Sequence, residues 1–86
     1  MNLCVVSTFD CTVDEFKAMV RQFEDQLLGT AIAAYEIGVV DEHKVMTMAD
    51  VTDMDAFQAV MSSPEMTAWD AANNCVDVVY TLEQMS

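Results

Sequence analysis

Three carboxylates occupy positions in the sequence where they could transfer protons. Asp77 and Glu36 each interrupt an apolar run, and Glu65 directly follows a Ser-Pro dipeptide. A carboxylate among apolar neighbours has a raised pKa and can act as an acid, a base or a ligand anchor. The alternative for Asp77 and Glu36 is a structural position, at a solvated rim or beside a hydroxyl. We expect these two to lie on opposite edges of one sheet, so that they could pair only across a dimer.

Three cysteines and one histidine are the candidates for redox or metal chemistry. Cys4, Cys11 and Cys75 lack the pair spacing of metal ligands. Cys11 and Cys75 flank strands that we expect to be neighbours, which places both thiols at one end of the sheet. Since no Lys or Arg flanks either thiol, inert thiols are favoured over a redox pair. His43 lies in a polar turn and is expected to be solvated, so no metal site and no cofactor are predicted.

Aromatic and methionine side chains are candidates for lining a pocket for a small molecule. Methionine is flexible and suits irregular apolar cavities, although the same residues at helical or strand spacing are also typical of a core. The predicted ligand-contacting residues are Tyr35, Met46, Met48, Trp69, Val79 and Thr81.

Length and charge restrict the function. The 86 residues are expected to form a single domain, 1–86. Fifteen acidic residues against three Lys and Arg leave a formal charge of −12, which excludes nucleic acid as a partner and disfavours an anionic membrane surface. Residues 1–9 lack the features of a signal peptide, and no stretch is long and apolar enough to span a membrane. Together with free thiols, these features predict a cytoplasmic protein.

The pattern along the chain alternates strands and helices. Strands are predicted over residues 3–9, 32–40, 44–51 and 75–82. A helix over 12–28 carries an apolar stripe, with a capping box at Thr12 and Glu15 and a C-terminal glycine, Gly29. A second helix starts at Asp53 or Asp55 and is interrupted at residues 62–64. The order βαββαβ predicts a ferredoxin-like α+β fold, a four-stranded antiparallel sheet with its helices on one face.

Both faces of the predicted sheet are apolar, although its helices can cover only one. A patch of five-residue strands spans about 300 Å². Leaving this area in water would forgo roughly 8 kcal/mol, which is comparable to the stability of a small domain. We therefore expect a second subunit over the free face. The alternative is a monomer in which the interrupted helix folds back over it.

The chain resembles the dimeric α/β-barrel superfamily, which includes proteins similar to antibiotic-biosynthesis monooxygenases. The resemblance rests on the element order, on the doubly apolar sheet and on residues 50–69, DVTDMDAFQAVMSSPEMTAW, in which an acidic turn, a helix, a Ser-Pro step and an aromatic residue follow a strand. It implies two sheets packed as a barrel, with a cavity in or beside each. In the monooxygenase-like branch a histidine often follows the Ser-Pro step, whereas Glu65 stands here. The superfamily also includes haem-binding proteins. His43 lies in a predicted turn and is poorly placed to be a haem ligand.

Two functional hypotheses follow, from different classes. The first is a homodimer that binds a small apolar or aromatic molecule in the cavity. The alternative is a cofactor-independent enzyme, of monooxygenase or isomerase type, that acts on a small aromatic or polyketide-like substrate through Asp77, Glu36 or Glu65. A structural dimer without a ligand is a further alternative. Binding is favoured because no nucleophile–base pair, metal cluster or phosphate loop is recognisable.

Overall fold

The computed structural model describes residues 1–85 and has the predicted order of elements. Its strands are β1 (Leu3–Thr8), β2 (Ile32–Asp41), β3 (Lys44–Val51) and β4 (Val76–Thr81). Its helices are α1 (Val13–Leu27), α2 (Met54–Met61) and α3 (Pro64–Asn73). The predicted boundaries therefore lie within about two residues of the observed ones, as expected for boundaries in general.

The four strands form one antiparallel sheet in the order β2-β3-β1-β4. β1 and β3 are central, and β2 and β4 are the edges. All three helices pack on one face of this sheet, because Phe16 of α1, Phe57 of α2 and Met66 of α3 belong to the same core as Val5 and Val45. The topology is that of the ferredoxin-like fold, which confirms the predicted fold class.

Helix α1 begins and ends where its sequence dictates. The Thr12 side chain accepts a hydrogen bond from the Glu15 backbone, and the Glu15 carboxylate accepts one from the Thr12 backbone, which completes the predicted capping box. The chain leaves the helix through Gly29, whose φ of 80° suits a residue without a Cβ. Between these ends, α1 buries four residues against the sheet: Phe16, Met19, Phe23 and Leu27.

The second helical region consists of two short helices. Asp53 caps α2 by accepting a hydrogen bond from the Ala56 backbone. After the break, Ser63 caps α3 and Pro64 takes its first position, where proline's missing N–H leaves no bond unmade. Both helices lie on the same side of the sheet as α1, so the interrupted helix does not cover the other face.

The opposite face of the sheet is apolar and uncovered within residues 1–85. Val78, Tyr80 and Met46 are 47%, 53% and 39% exposed. The register places Val78 opposite Val6 and Tyr80 opposite Cys4, and side chains of directly paired residues point to the same side of a sheet. We refer to Cys4, Val6, Met46, Met48, Val76, Val78 and Tyr80 as the open face.

A membrane-spanning helix is not found among the described residues: each of the three helices is too short or too polar to cross a bilayer.

Candidate functional site

A cavity lies between the helices and the covered face of the sheet. Its volume is about 70 Å³, enough for ordered water but below the roughly 300–1,000 Å³ of pockets that hold drug-sized ligands. Its wall is almost entirely apolar. The lining side chains come from all three helices and from all four strands: Val5, Ser7, Phe16, Met19, Val20, Phe23, Leu27, Ile32, Tyr35, Thr47, Ala49, Phe57, Met61, Met66, Asp70, Cys75 and Asp77.

A group of polar side chains lines part of this cavity, and we call Ser7, Asp70, Cys75 and Asp77 the polar cluster. The β1–β4 register pairs Ser7 with Asp77, so their side chains point to the same side of the sheet. The Ser7 hydroxyl donates a hydrogen bond of 2.6 Å to Asp77 Oδ1. The Cys75 thiol donates to the same oxygen at 3.6 Å. Asp77 is therefore held by two neutral donors.

Asp70 joins the cluster from the last turn of α3. It lies four residues after the buried Met66, which puts both side chains on one face of the helix. The helix ends at Asn74 in the left-handed conformation, with a φ of 48°, and the Cys75 backbone then donates to the Asp70 carbonyl at 2.9 Å. This tight reversal brings the helix end and the start of β4 together.

Two oxygen atoms facing this cavity have no hydrogen-bond partner within residues 1–85. They are Thr47 Oγ1 and Asp70 Oδ1, both shielded from solvent. Burying such an atom without a partner costs about 1–3 kcal/mol. An otherwise apolar cavity that contains a few unsatisfied polar atoms has the composition expected of a ligand site.

Burial and the negative charge of neighbouring carboxylates raise the pKa values of Asp70 and Cys75. Burial raises the pKa of Asp70, and the negative charge of Asp77 raises it further, while a hydrogen bond with Cys75 opposes the change. Burial also raises the pKa of the Cys75 thiol strongly, helped by Asp77 and Asp70. The thiol is therefore protonated at neutral pH, which makes Cys75 a hydrogen-bond donor and a poor nucleophile.

The same reasoning applies to the proposed redox pair. Burial, followed by the charge of Glu15, raises the pKa of the Cys11 thiol. Cys4, Cys11 and Cys75 are all free thiols. Because reactive cysteines have depressed pKa values, the environments of Cys11 and Cys75 favour the inert thiols expected from the sequence.

The cluster also has the spacing of a cation site. One ligand atom each of Asp70, Cys75 and Asp77 lies within 4.8 Å of the others, although no metal site was expected here. A thiolate ligand would require Cys75 to lose its proton, which the two carboxylates oppose. We therefore assign no metal to the cluster.

Tyr35 lines the cavity from β2 and is tied to α1. Its hydroxyl donates a hydrogen bond to Glu24 Oε1. Burial raises the pKa of Tyr35, and the hydrogen bond and negative charge of Glu24 raise it further. The phenol is therefore a neutral donor whose hydrogen is already engaged.

The structure separates the six predicted ligand-contacting residues. Tyr35 lines the cavity. Trp69 lies beside it, with its ring 6.0 Å from that of Phe16 in an edge-to-face contact. Val79 and Thr81 share the cavity side of β4 but are exposed and lie outside the lining. Met46 and Met48 belong to the open face, on the other side of the sheet, so these six do not form one pocket.

The three predicted acid–base residues are also separated. Asp77 lines the cavity. Glu36 is exposed and pairs with Met48 in the β2–β3 register, so it points to the open side of the sheet. Glu65 is exposed in the first turn of α3. Glu36 and Asp77 lie on opposite edge strands, as predicted.

His43 lies in the exposed β2–β3 turn. Its Nδ1 is 3.1 Å from the carbonyl oxygen of Cys11. This contact ties the turn to the chain after β1.

Sequence reasoning missed three residues of the site, Ser7, Thr47 and Asp70. A signal existed for each. Ser7 is two residues from Val5, and Thr47 is midway between Val45 and Ala49, so alternation groups each with the residues of its own face. Asp70 follows Met66 by one helical turn, as described above.

Comparison with known proteins supports the fold only. No protein-family model matches the chain, and no curated protein matches it either. Among solved structures it is similar to SnoaB from Streptomyces nogalater, described as a cofactor-independent oxygenase, with a TM-score of 0.63, 16% identity and coverage of 98% of this chain and 93% of that one. It is also similar to Rv0793 from Mycobacterium tuberculosis, with a TM-score of 0.51, 13% identity and complete coverage of both chains. Likeness at such low identity establishes the ferredoxin-like fold and nothing finer.

Proposed function

We propose that this chain binds a small apolar or aromatic molecule in the cavity between its helices and its sheet. The observation that carries the proposal is the pair of buried, unpartnered oxygens, Thr47 Oγ1 and Asp70 Oδ1, in an otherwise apolar lining. A ligand with an apolar body and polar groups that reach these oxygens would fill the space and supply their missing hydrogen bonds.

The size of the cavity restricts how such a ligand binds. A volume of about 70 Å³ suits a small ligand, and a larger one requires the helices to move away from the sheet. The break between α2 and α3 at Ser62 and Ser63 offers a hinge for this movement, because Pro64 has no backbone N–H with which to continue the hydrogen bonds of α2.

Toluene provides a direct test, because it has an apolar ring and no polar group. We expect saturating toluene to raise the thermal midpoint of the protein, since a ligand that binds only the folded state stabilises it. The Val20→Phe variant fills the cavity from α1 and should abolish the rise. Val13→Phe, at a half-buried α1 position outside the cavity lining, should retain it. An equal response of both variants would contradict binding in the cavity.

We further propose that the functional form is a homodimer of the dimeric α/β-barrel type, joined through the open face. The exposed apolar side chains Val78, Tyr80 and Met46 support this proposal, since soluble monomers rarely expose a large contiguous apolar patch.

A second candidate function is cofactor-independent enzyme chemistry on the bound molecule. It is favoured by the Asp70–Asp77 pair, in which a carboxyl of raised pKa lies near a second carboxyl, and by the fold shared with SnoaB. Asp70 would accept a proton from a bound hydroxyl, the first step of an isomerisation or of an oxygen-dependent reaction. Oxygen uptake in the presence of an electron-rich hydroxyaromatic compound tests this. Uptake should fall in Asp70→Asn and persist in Asp25→Asn, a variant of an exposed α1 residue.

A further inference from the structure

The charge in the cavity is entirely negative. Among the described residues, its lining includes Asp70 and Asp77 but no Lys, Arg or His. The pKa of Asp70 is changed by burial, by the charge of Asp77 and by a hydrogen bond with Cys75, and no basic side chain contributes. A buried carboxylate normally has a cationic partner or several hydrogen-bond donors.

The hydroxyl and thiol donors of the cluster serve mainly Asp77. Ser7 and Cys75 both donate to Asp77 Oδ1. Asp70 Oδ1 and Thr47 Oγ1 remain without partners in the cavity. The cluster therefore lacks a positively charged partner and a donor for Asp70 Oδ1, and a ligand can supply both.

We propose that the preferred ligand carries a protonated amine on its apolar body, so that the ammonium group lies at the unpartnered Oδ1 of Asp70. This inference rests on the proposed function and specifies its ligand class. An ammonium group supplies both hydrogen-bond donors and the positive charge that the two carboxyls lack. A ligand carboxylate or phosphate is repelled there by the two carboxylates, because the mostly apolar lining screens charges weakly.

Four probes with the same ring separate the contributions of the ring, a neutral hydroxyl, a positive charge and a negative charge to binding. They are toluene, benzyl alcohol, benzylamine and benzoate, titrated at pH 7 with the dissociation constant as the readout. Benzylamine should bind about tenfold or more tightly than toluene, as expected for hydrogen bonds to a charged group. Benzyl alcohol should lie between the two, and benzoate should not bind. Tetramethylammonium, a cation without a ring, controls for attraction to the acidic surface and should bind far more weakly than benzylamine.

Asp70→Asn should reduce the preference for benzylamine over toluene about tenfold, and Asp25→Asn should leave this preference unchanged. If Asp70→Asn fails to fold, Asp77→Asn provides the same comparison, because it also removes a negative charge from the polar cluster. Toluene binding without an advantage for benzylamine, or tighter binding of the alcohol, would overturn the amine inference and leave the proposed function intact. Failure of every probe, toluene included, would overturn both.

Discussion

Thr47 and Asp70 carry the functional argument at the scale of single residues. Each has an oxygen that is shielded from solvent and has no hydrogen-bond partner among the described residues. Such atoms lower the stability of the folded chain, and unsatisfied groups of this kind are uncommon in native interiors. A site that binds a polar ligand group accounts for them, since the ligand restores the missing hydrogen bonds.

Replacing Thr47 by valine measures how much the unpartnered hydroxyl lowers the stability of the folded chain. Thr47→Val keeps the shape of the side chain and removes the unpartnered hydroxyl, so we expect the free energy of unfolding to rise by about 1 kcal/mol. Urea denaturation measures the change. Thr67→Val, at an exposed position of α3, should change stability by less than about 0.5 kcal/mol. A clear destabilisation by Thr47→Val would mean that the hydroxyl is hydrogen-bonded in the folded protein.

Asp70 gives the folded protein a distinctive pH dependence. Its pKa is raised on folding, mainly by burial and then by Asp77, so the folded state holds this proton more tightly than the unfolded state. The contribution of Asp70 to stability is therefore greatest at a pH below the ordinary carboxyl pKa, and it is lost as the pH rises through the raised value.

The variant Asp70→Asn removes this titration. Between about pH 4 and pH 7, the unfolding free energy of the native protein minus that of the variant should decrease. Urea denaturation across this range measures the difference. Asp25→Asn should show no comparable trend. A difference that grows with pH would show that the carboxylate form of Asp70 is the one stabilised by folding.

At the scale of elements, the break between α2 and α3 sets the position of Asp70. Ser63 accepts a hydrogen bond from the Met66 backbone at 3.3 Å and so fixes the start of α3. The far end of α3 is fixed by Asn74, in the left-handed conformation. Asp70 lies between these two ends and reaches the cavity only if both are in place.

Loss of the α3 cap should therefore weaken both stability and binding. Ser63→Ala removes the capping oxygen, and we expect a loss of about 1 kcal/mol in the free energy of unfolding. Ser62→Ala should cost less, because the Gln58 carbonyl that its hydroxyl contacts also accepts the Ser62 backbone N–H. Urea denaturation of the two variants provides the comparison, and equal losses would contradict a specific role for the cap.

The elements show how far the sequence alone determines the site. The periodicity of apolar residues and the helix-capping residues are sufficient to place every helix and strand. The βαββαβ order of the elements then predicts that β1 and β4 are neighbours. The face of each strand was harder to assign, because both faces of β3 and β4 are apolar. Alternation therefore separated Met46 from Thr47 without showing which one meets the helices. Asp70 was missed because α3 is short and weakly amphipathic, so its inward side is not evident before the break is located.

At the scale of the whole molecule, an apolar open face is combined with a formal charge of −12. Burial of the open face favours association, whereas the like charges of two chains oppose it. The proposed dimer should therefore be sensitive to ionic strength. Its dissociation constant should fall as salt rises from about 0.01 M to about 0.15 M, since the screening length shortens from roughly 30 Å to 8 Å.

Sedimentation or light scattering across a concentration series measures this equilibrium. Val78→Asp places a charge in the open face and should yield monomers. Met54→Asp introduces the same charge at a similarly exposed residue, 42% against 47%, but on α2, and should leave the dimer intact. A native protein that remains a folded monomer at every salt concentration would contradict association through the open face.

The methionines distinguish a ligand bound between the helices and the sheet from one bound on the open face, because both sites contain methionine side chains. Met19, Met61 and Met66 line the cavity, whereas Met46 and Met48 lie on the open face. With ¹³C-labelled methionine methyl groups, a titration with benzylamine should shift the signals of the first three and leave those of Met46 and Met48 in place. Shifts confined to Met46 and Met48 would contradict the account.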